Sequence, residues 1–296
     1  MSAPPFVAAA DLAAELGGAG PVLLDVRWRL GDATGREQHR AAHLPGAVYV
    51  DLDAELSAPP SPAGGRHPLP AAADLQRAAR RWGLRAGSRA VAYDDAGGAA
   101  AARAWWVLRW AGFEDVRLLD GGLAAWRAAG LPLEAGEVVP APGDVELGPG
   151  GALPSVDADG AAAAAARGVL LDARAPERYR GEVEPVDPRA GHVPGARNLP
   201  PASLTGAGGL LLGPVELRER LAAVGVAPGT EVVASCGSGV FASLAVAQLA
   251  AAGVGAALWP GSWSQWSVDP ARPAATGPDP HPGPAPHPGP EGAAGR

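Results

Sequence analysis

Leu23-Leu24-Asp25-Val26-Arg27 returns further along the chain as Leu170-Leu171-Asp172-Ala173-Arg174, and this return decides the fold. Outward from it, His43-Leu44-Pro45-Gly46-Ala47 reappears as His192-Val193-Pro194-Gly195-Ala196. Ala90-Val91-Ala92-Tyr93-Asp94 reappears as Val232-Val233-Ala234-Ser235-Cys236, and Leu119-Asp120-Gly121 through Trp126 as Trp259-Pro260-Gly261 through Trp266. The order is kept, and the spacing is far longer than the roughly 20–50 residues of a solenoid unit, so the chain is a duplicated domain. Within each copy, short apolar runs bounded by Gly, Pro and Asp alternate with longer Ala/Leu/Arg stretches, the pattern of strands feeding helices in a parallel sheet. The expected fold class is α/β, with two tandem domains, each a mostly parallel sheet flanked by helices.

The expected boundaries are a first domain over 1–134, a linker over 135–154, a second domain over 155–268 and a tail over 269–296. The linker is rich in Gly, Pro and acidic residues without clear periodicity. In the tail, Pro280-His281-Pro282-Gly283-Pro284 recurs as Pro286-His287-Pro288-Gly289-Pro290, a composition that predicts disorder. Helices are predicted over 99–111 and 242–252, each followed by a glycine suited to a C-terminal cap, Gly112 and Gly253.

Composition narrows the function classes. A length of 296 residues fits two ordinary domains, each able to bury a core. With 47% hydrophobic and 19% charged residues the chain reads as globular, and no apolar run approaches the roughly 20 residues of a membrane span. Met1-Ser2-Ala3-Pro4-Pro5 lacks a basic region followed by an apolar core, so no secretory signal is expected and the cytoplasm is the default location. A net charge of −7 argues against general nucleic-acid binding. The single cysteine can form neither an internal disulfide nor a Cys-based zinc cluster, and the two tail histidines are a weak metal signal, so no metal or cofactor is expected.

That cysteine opens the run Cys236-Gly237-Ser238-Gly239-Val240-Phe241, after the apolar strand Val232 to Ala234 and before a helix. A lone cysteine otherwise reads as a small buried hydrophobe. Here Gly237 and Gly239 permit a tight turn in which successive backbone N–H groups curl around the sulfur, and such an anion nest at a helix start stabilises a thiolate or persulfide.

With this loop the chain resembles the tandem rhodanese family, and within it the mercaptopyruvate sulfurtransferases, whose loop reads Cys-Gly-Ser-Gly-Val-Thr. Five of the six positions match, Phe241 standing in place of threonine. The resemblance runs from about Val22 to Trp266 and includes Pro260-Gly261-Ser262-Trp263-Ser264-Gln265-Trp266. It implies sulfur transfer through a persulfide on Cys236, from a small-molecule donor to a thiol such as thioredoxin, or to cyanide. Asp94 stands at the matching position of the first copy and cannot carry sulfur, so catalysis is expected in the second domain alone. The resemblance further implies that Arg178 and Arg189 clamp the carboxylate and carbonyl of mercaptopyruvate, with Gly237, Gly239 and Val240 forming the loop around the donor. It also implies a relay of Ser238, His67 and Asp53 that moves a proton as pyruvate leaves, which requires the first domain to reach the second.

Uncharged Gly237 and Ser238 favour mercaptopyruvate over thiosulfate, whose specific users often carry a cation inside this loop. Thiosulfate sulfurtransferase is the alternative enzyme, and a noncatalytic sulfur-binding or sensing module is the alternative of another class, suggested by the bulk of Phe241. Rhodanese-fold phosphatases use a Cys-x5-Arg loop, and Ala242 occupies that arginine position. His43, His192, Asp25 and Asp172 recur in both copies and are expected to be structural, as are Trp126 and Trp266.

Overall fold

In the computed structural model, which describes residues 4–18 and 20–280, the apolar runs become two parallel sheets. The first comprises β1 (Phe6–Val7), β2 (Val22–Asp25), β3 (Val48–Tyr49), β4 (Ala90–Tyr93) and β5 (Val116–Leu119). Their order is β1-β5-β4-β2-β3, every pair parallel. The second comprises β6 (Val169–Asp172), β7 (Arg197–Asn198), β8 (Val232–Ser235) and β9 (Ala257–Leu258), in the order β7-β6-β8-β9, again all parallel. The place of β1 is held in the second copy by one parallel bridge, Ser155 to Leu258. All residues of β4 and β8 are buried, as continuous apolar runs covered on both faces must be. The expected α/β fold with a duplicated domain is the fold observed.

The helices Ala99–Trp110 and Val240–Ala251 follow β4 and β8. Their starts are set by Gly98 and Gly239, left-handed at φ +91° and +81°, and their ends by left-handed Gly112 and Gly253. The second begins two residues before the predicted position, because Gly239 turns the chain directly into helical geometry. Both helices are buried nearly all round, which a helix lacking a polar face requires. They pack against each other in one core that also holds Trp105, Trp106, Leu244 and Cys236. Their alanines permit a close approach, so the carboxyl ends of β4 and β8 meet at the boundary between domains.

The repeated motifs become repeated buried ion pairs. Asp25 pairs with Arg27 at 3.1 Å, and Asp172 pairs with Arg174 at 2.6 Å; the second Asp25 oxygen lies within hydrogen-bond distance of His39 Nδ1, at 2.8 Å. His43 Nδ1 and His192 Nδ1 each lie 2.8 Å from a backbone carbonyl, of His39 and Tyr179. Among the described residues no helix is long and apolar enough to cross a membrane.

Two parts of the expected organisation are refined. Residues 135–154 contain no helix or strand, yet they strap the first domain through Gly143 N–H to Arg80 O (2.7 Å), Val145 to Leu84 (3.1 Å) and Gly148 to Ala111 (2.7 Å). The predicted disorder from residue 269 onward is corrected for the first part of that segment. Trp266 Nε1 donates to Pro273 O at 2.7 Å, His192 and Ala275 exchange backbone bonds of 2.9 Å, and Gly277 N–H reaches Arg180 O at 2.9 Å. Proline and glycine suppress regular structure without preventing docking. The rest of the tail, with His281 and His287, lies outside the described residues.

Leu244 is 4% exposed at the helix–helix contact. Leu244→Ala is expected to lower the unfolding free energy by about 2–5 kcal/mol in urea titration. Val215→Ala, at a position 61% exposed, is expected to cost under about 0.5 kcal/mol.

Candidate active site

Cys236 follows β8 and is 2% exposed. The Gly239 N–H donates to its Sγ at 3.1 Å. The Cys236 N–H donates to Ser262 Oγ at 3.1 Å, and that hydroxyl donates onward to Trp259 O at 2.8 Å. Trp263 N–H and Ser264 N–H close on the carbonyls of Cys236 (3.0 Å) and Gly237 (2.8 Å), so the helix Ser262–Trp266 holds the loop from behind. Ser262 adopts φ +50°, the one positive φ outside glycine among the described residues. That strain is stored where the segment turns beneath the sulfur.

The first copy contains the same nest, filled. Asp94 is 1% exposed, and its Oδ1 accepts from Ala96 N–H (2.9 Å) and Gly98 N–H (2.8 Å). Its Oδ2 accepts from Ala100 N–H (3.0 Å) and Ala101 N–H (3.1 Å). Burial pushes the Asp94 carboxyl up, against these backbone donors. Gly98 and Gly239 both cap the following helix, so the carboxylate sits in one domain where Cys236 sits in the other.

The predicted relay residues are brought together across the domain boundary. His67 Nδ1 lies 2.7 Å from Ser238 Oγ, and His67 Nε2 lies 3.2 Å from Asp53 Oδ1. Trp28 Nε1 donates to Asp53 Oδ2 at 3.0 Å, and its ring meets the His67 ring edge-on at 5.3 Å. Burial, aided by the nearby Arg103 guanidinium and opposed by Asp53, pushes His67 down to about 4. The imidazole is therefore neutral near pH 7. With the Asp53 carboxylate able only to accept, Nε2 carries the proton and Nδ1 accepts from the Ser238 hydroxyl.

The reach of the first domain comes from its Pro/Gly-rich loop. Arg66 N–H donates to Ser264 Oγ at 3.0 Å, and Gln265 Nε2 donates to Ala63 O at 2.5 Å. Gly65 has φ +78°, and a Cβ there would stand 2.5 Å from Gly261 O, so only glycine allows this approach. Arg103, fully buried on the helix Ala99–Trp110, fixes the same segment from inside through Leu56 O (3.2 Å), His67 O (2.9 Å) and Pro68 O (3.0 Å).

A cavity of about 350 Å³ opens over Cys236 and is lined from both domains, by Trp28, Arg66, Arg178, Gly237, Ser238 and Phe241 among others. Val240 also lines it, whereas Gly239 contributes its N–H to the sulfur from outside the lining. Phe241 is 47% exposed and forms part of the wall without filling the space. Arg178 faces the cavity and bonds Glu184 Oε1 at 2.5 Å and Asp187 Oδ2 at 3.1 Å. Burial opposes it, but Arg178 and the amides of Asp187 and Val186 hold the Glu184 carboxyl below its ordinary value.

Arg189 is not brought to the cavity, which corrects its assignment as half of the clamp. Its guanidinium donates to Arg272 O (2.7 Å), Trp266 O (3.0 Å) and Asp269 O (3.2 Å) and stacks over Trp263. These carbonyls belong partly to the segment expected to be disordered, so nothing nearby in sequence announced them. Sequence reading also missed Arg66, Arg103, Asp187 and Ser262. Arg66 had one available signal, a charge adjoining His67 within a Pro/Gly-rich loop.

A family model described as a rhodanese-like domain matches residues 8–129 and 157–269. "Putative thiosulfate sulfurtransferase SseB" of Mycobacterium tuberculosis is 49% identical over 279 residues, covering 92% of this chain and 97% of its own length. "Probable 3-mercaptopyruvate sulfurtransferase" of Pseudomonas aeruginosa is 46% identical over 283 residues, covering 94% of this chain and 100% of its own. Among solved structures, a 3-mercaptopyruvate sulfotransferase of Escherichia coli superposes with a TM-score of 0.78 at 32% identity, over 88% of this chain and 99% of that one.

His67 generates a pH prediction. Its value falls from 6.5 to about 4 on folding, so between these limits the unfolded chain binds the extra proton. Stability from this residue is full above about pH 6.5 and is lost progressively as the pH falls toward 4. The wild-type urea midpoint is expected to drop between pH 7 and pH 5 by more than that of His67→Gln.

Proposed function

The chain belongs to the rhodanese family, and we propose that it moves sulfane sulfur from 3-mercaptopyruvate to a thiol through a persulfide on Cys236. Sulfur transfer is the activity named in its relatives. The observation that carries the donor choice is the continuous chain from Ser238 to His67 to Asp53 beside the sulfur loop. Thiosulfate releases sulfite, a stable anion that needs no proton transfer to depart. Mercaptopyruvate releases a carbanion equivalent, which does.

In the first half-reaction the Cys236 thiolate attacks the donor sulfur, the S–S bond forms and the C–S bond breaks. Its electron pair passes to carbon as the enolate of pyruvate. The proton on the transferred sulfur is lost as the persulfide becomes an anion, and C3 of the enolate gains one, so the half-reaction is neutral in protons. The Ser238 hydroxyl turns its one proton from His67 Nδ1 to the enolate oxygen as charge develops there. Arg178 binds the carboxylate end.

The filled nest of the first domain supports the placement of the product. Where Asp94 Oδ1 meets Gly98 N–H, Cys236 Sγ meets Gly239 N–H. The positions matching Ala100 and Ala101, counted from the capping glycines, are Phe241 and Ala242. Their amides hold the outer sulfur as the corresponding amides hold Asp94 Oδ2. In the second half-reaction an acceptor thiolate takes that sulfur and Cys236 leaves as thiolate. Thioredoxin suits this step as a reducing dithiol, and the reducing cytoplasm, where a lone thiol stays free, suits the whole cycle.

Thiosulfate remains the second reading, favoured by guanidinium groups over the loop that suit a dianion. Mixing the protein with each donor, with pyruvate or sulfite release followed alongside the mass of Cys236, distinguishes them. Pyruvate release with a one-sulfur gain at Cys236 is expected, and loading by thiosulfate alone would transfer the assignment. Cys236→Ser should abolish loading. His67→Gln should slow loading from mercaptopyruvate by about 10²–10⁴-fold while changing any loading from thiosulfate far less.

A further inference from the structure

We propose that a second cavity, beside the Asp94 nest of the first domain, is a binding site for a small primary alkylammonium ion. It lies between Asp94 at the carboxyl end of β4, Asp120 at the carboxyl end of β5, and Leu211 and Gln248 of the second domain, and its volume is about 150 Å³. Ligands of open α/β sheets bind at such strand ends, and a cavity of this size holds a molecule of about benzene's bulk. The Leu211 N–H donates to Asp120 Oδ1 at 2.8 Å and so draws the second domain over the first. The cavity shares no lining residue with the one over Cys236, so the proposal goes beyond the sulfurtransferase reading and is tested apart from it.

What the cavity leaves unsatisfied points to its ligand. Gln248, fully buried on the helix Val240–Ala251, is part of its wall. Gln248 Nε2 donates to Pro201 O at 3.1 Å; that carbonyl can only accept, which fixes the orientation of the amide and leaves Oε1 buried with no donor. Asp95, also in the wall, pairs with Arg29 through Oδ2 at 3.1 Å, while its Oδ1 is buried without a partner. Buried acceptors without donors are costly, so both favour a ligand that brings N–H groups.

Charge selects a cation. Asp94, Asp95 and Asp120 line the cavity, and among the described residues no lysine, arginine or histidine does. The cavity over Cys236 has the reverse polarity, with arginines and no carboxylate in its lining. Asp94 contributes its charge alone, because backbone amides occupy both of its oxygens. Burial pushes the Asp120 carboxyl up against the Leu211 and Gly121 amides, and a cation beside it offsets what burial costs the ionised form. A primary ammonium carries three N–H donors, as many as the acceptor side chains Gln248, Asp95 and Asp120. Phe6, Leu119 and Leu244 offer a short alkyl stem an apolar wall. Among the described residues no group of His, Cys, Asp and Glu is placed to hold a metal ion, which leaves an organic cation as the occupant.

The test titrates n-butylammonium into the isotope-labelled full chain in phosphate buffer and follows the amide NMR signals of Gly97 and Gly98, which line the cavity. Saturable shifts are expected, with the neutral isostere n-butanol binding at least about 10-fold more weakly. Asp120→Asn keeps an oxygen for the Leu211 N–H and removes the charge, and it is expected to raise the Kd for n-butylammonium about 10-fold while leaving the urea midpoint in place. Gln248→Met removes the acceptor at similar side-chain length and is expected to raise Kd by about the same factor. If that variant unfolds at lower urea, Asp120→Asn decides alone. No saturation in the wild type, equal affinity for n-butanol, or an unchanged Kd in Asp120→Asn would overturn the proposal, as would tighter binding of potassium or magnesium ions at the same signals. Sulfur loading of Cys236 is measured separately, so failure of either assignment leaves the other standing.

Discussion

The contact between the helices Ala99–Trp110 and Val240–Ala251 is the constraint on which the site depends. Each helix is too apolar to face water, and each carries alanine where a larger side chain would hold its neighbour away. Burying one against the other sets two parallel sheets with the carboxyl ends of β4 and β8 toward a common boundary. In open α/β sheets, ligands bind at those ends. The duplication therefore produces two candidate nests side by side, and the chemistry depends on which residue fills each.

Asp94 fills the first nest with its own carboxylate, and Cys236 sets a sulfur at the matching place in the second, where it accepts from the Gly239 N–H. The first domain keeps a function because its Pro/Gly-rich loop crosses to the second and is clamped there by Ser264 and Gln265. Arg103 holds that loop from the core side, deep enough that burial pushes its guanidinium down to about 10. Separation of the domains would thus dismantle the relay while leaving the sulfur loop in place.

Much of this was legible in the sequence. The duplication, the strand–loop–helix around Cys236 and the glycine-terminated helices all follow from residues close together, whose periodicity and turn chemistry act locally. The expectation that Ser238, His67 and Asp53 meet came from family resemblance, and the geometry brings them together. Residues 269–280 were misread because Pro/Gly content reports the absence of helix and strand. It does not report whether carbonyls are available for Arg189 and His192.

The sequence by itself determined that one cysteine sits in an anion nest at the start of a helix, in the second of two related α/β domains. Only the tertiary structure decided which guanidinium groups face that cysteine. Arg66 and Asp187 are 121 residues apart, and their ion pair exists because two domains dock and because Gly65 has no side chain. Local propensities are written in neighbouring residues, whereas the direction of a long, charged side chain is set by whatever acceptors the docked fold places within its reach.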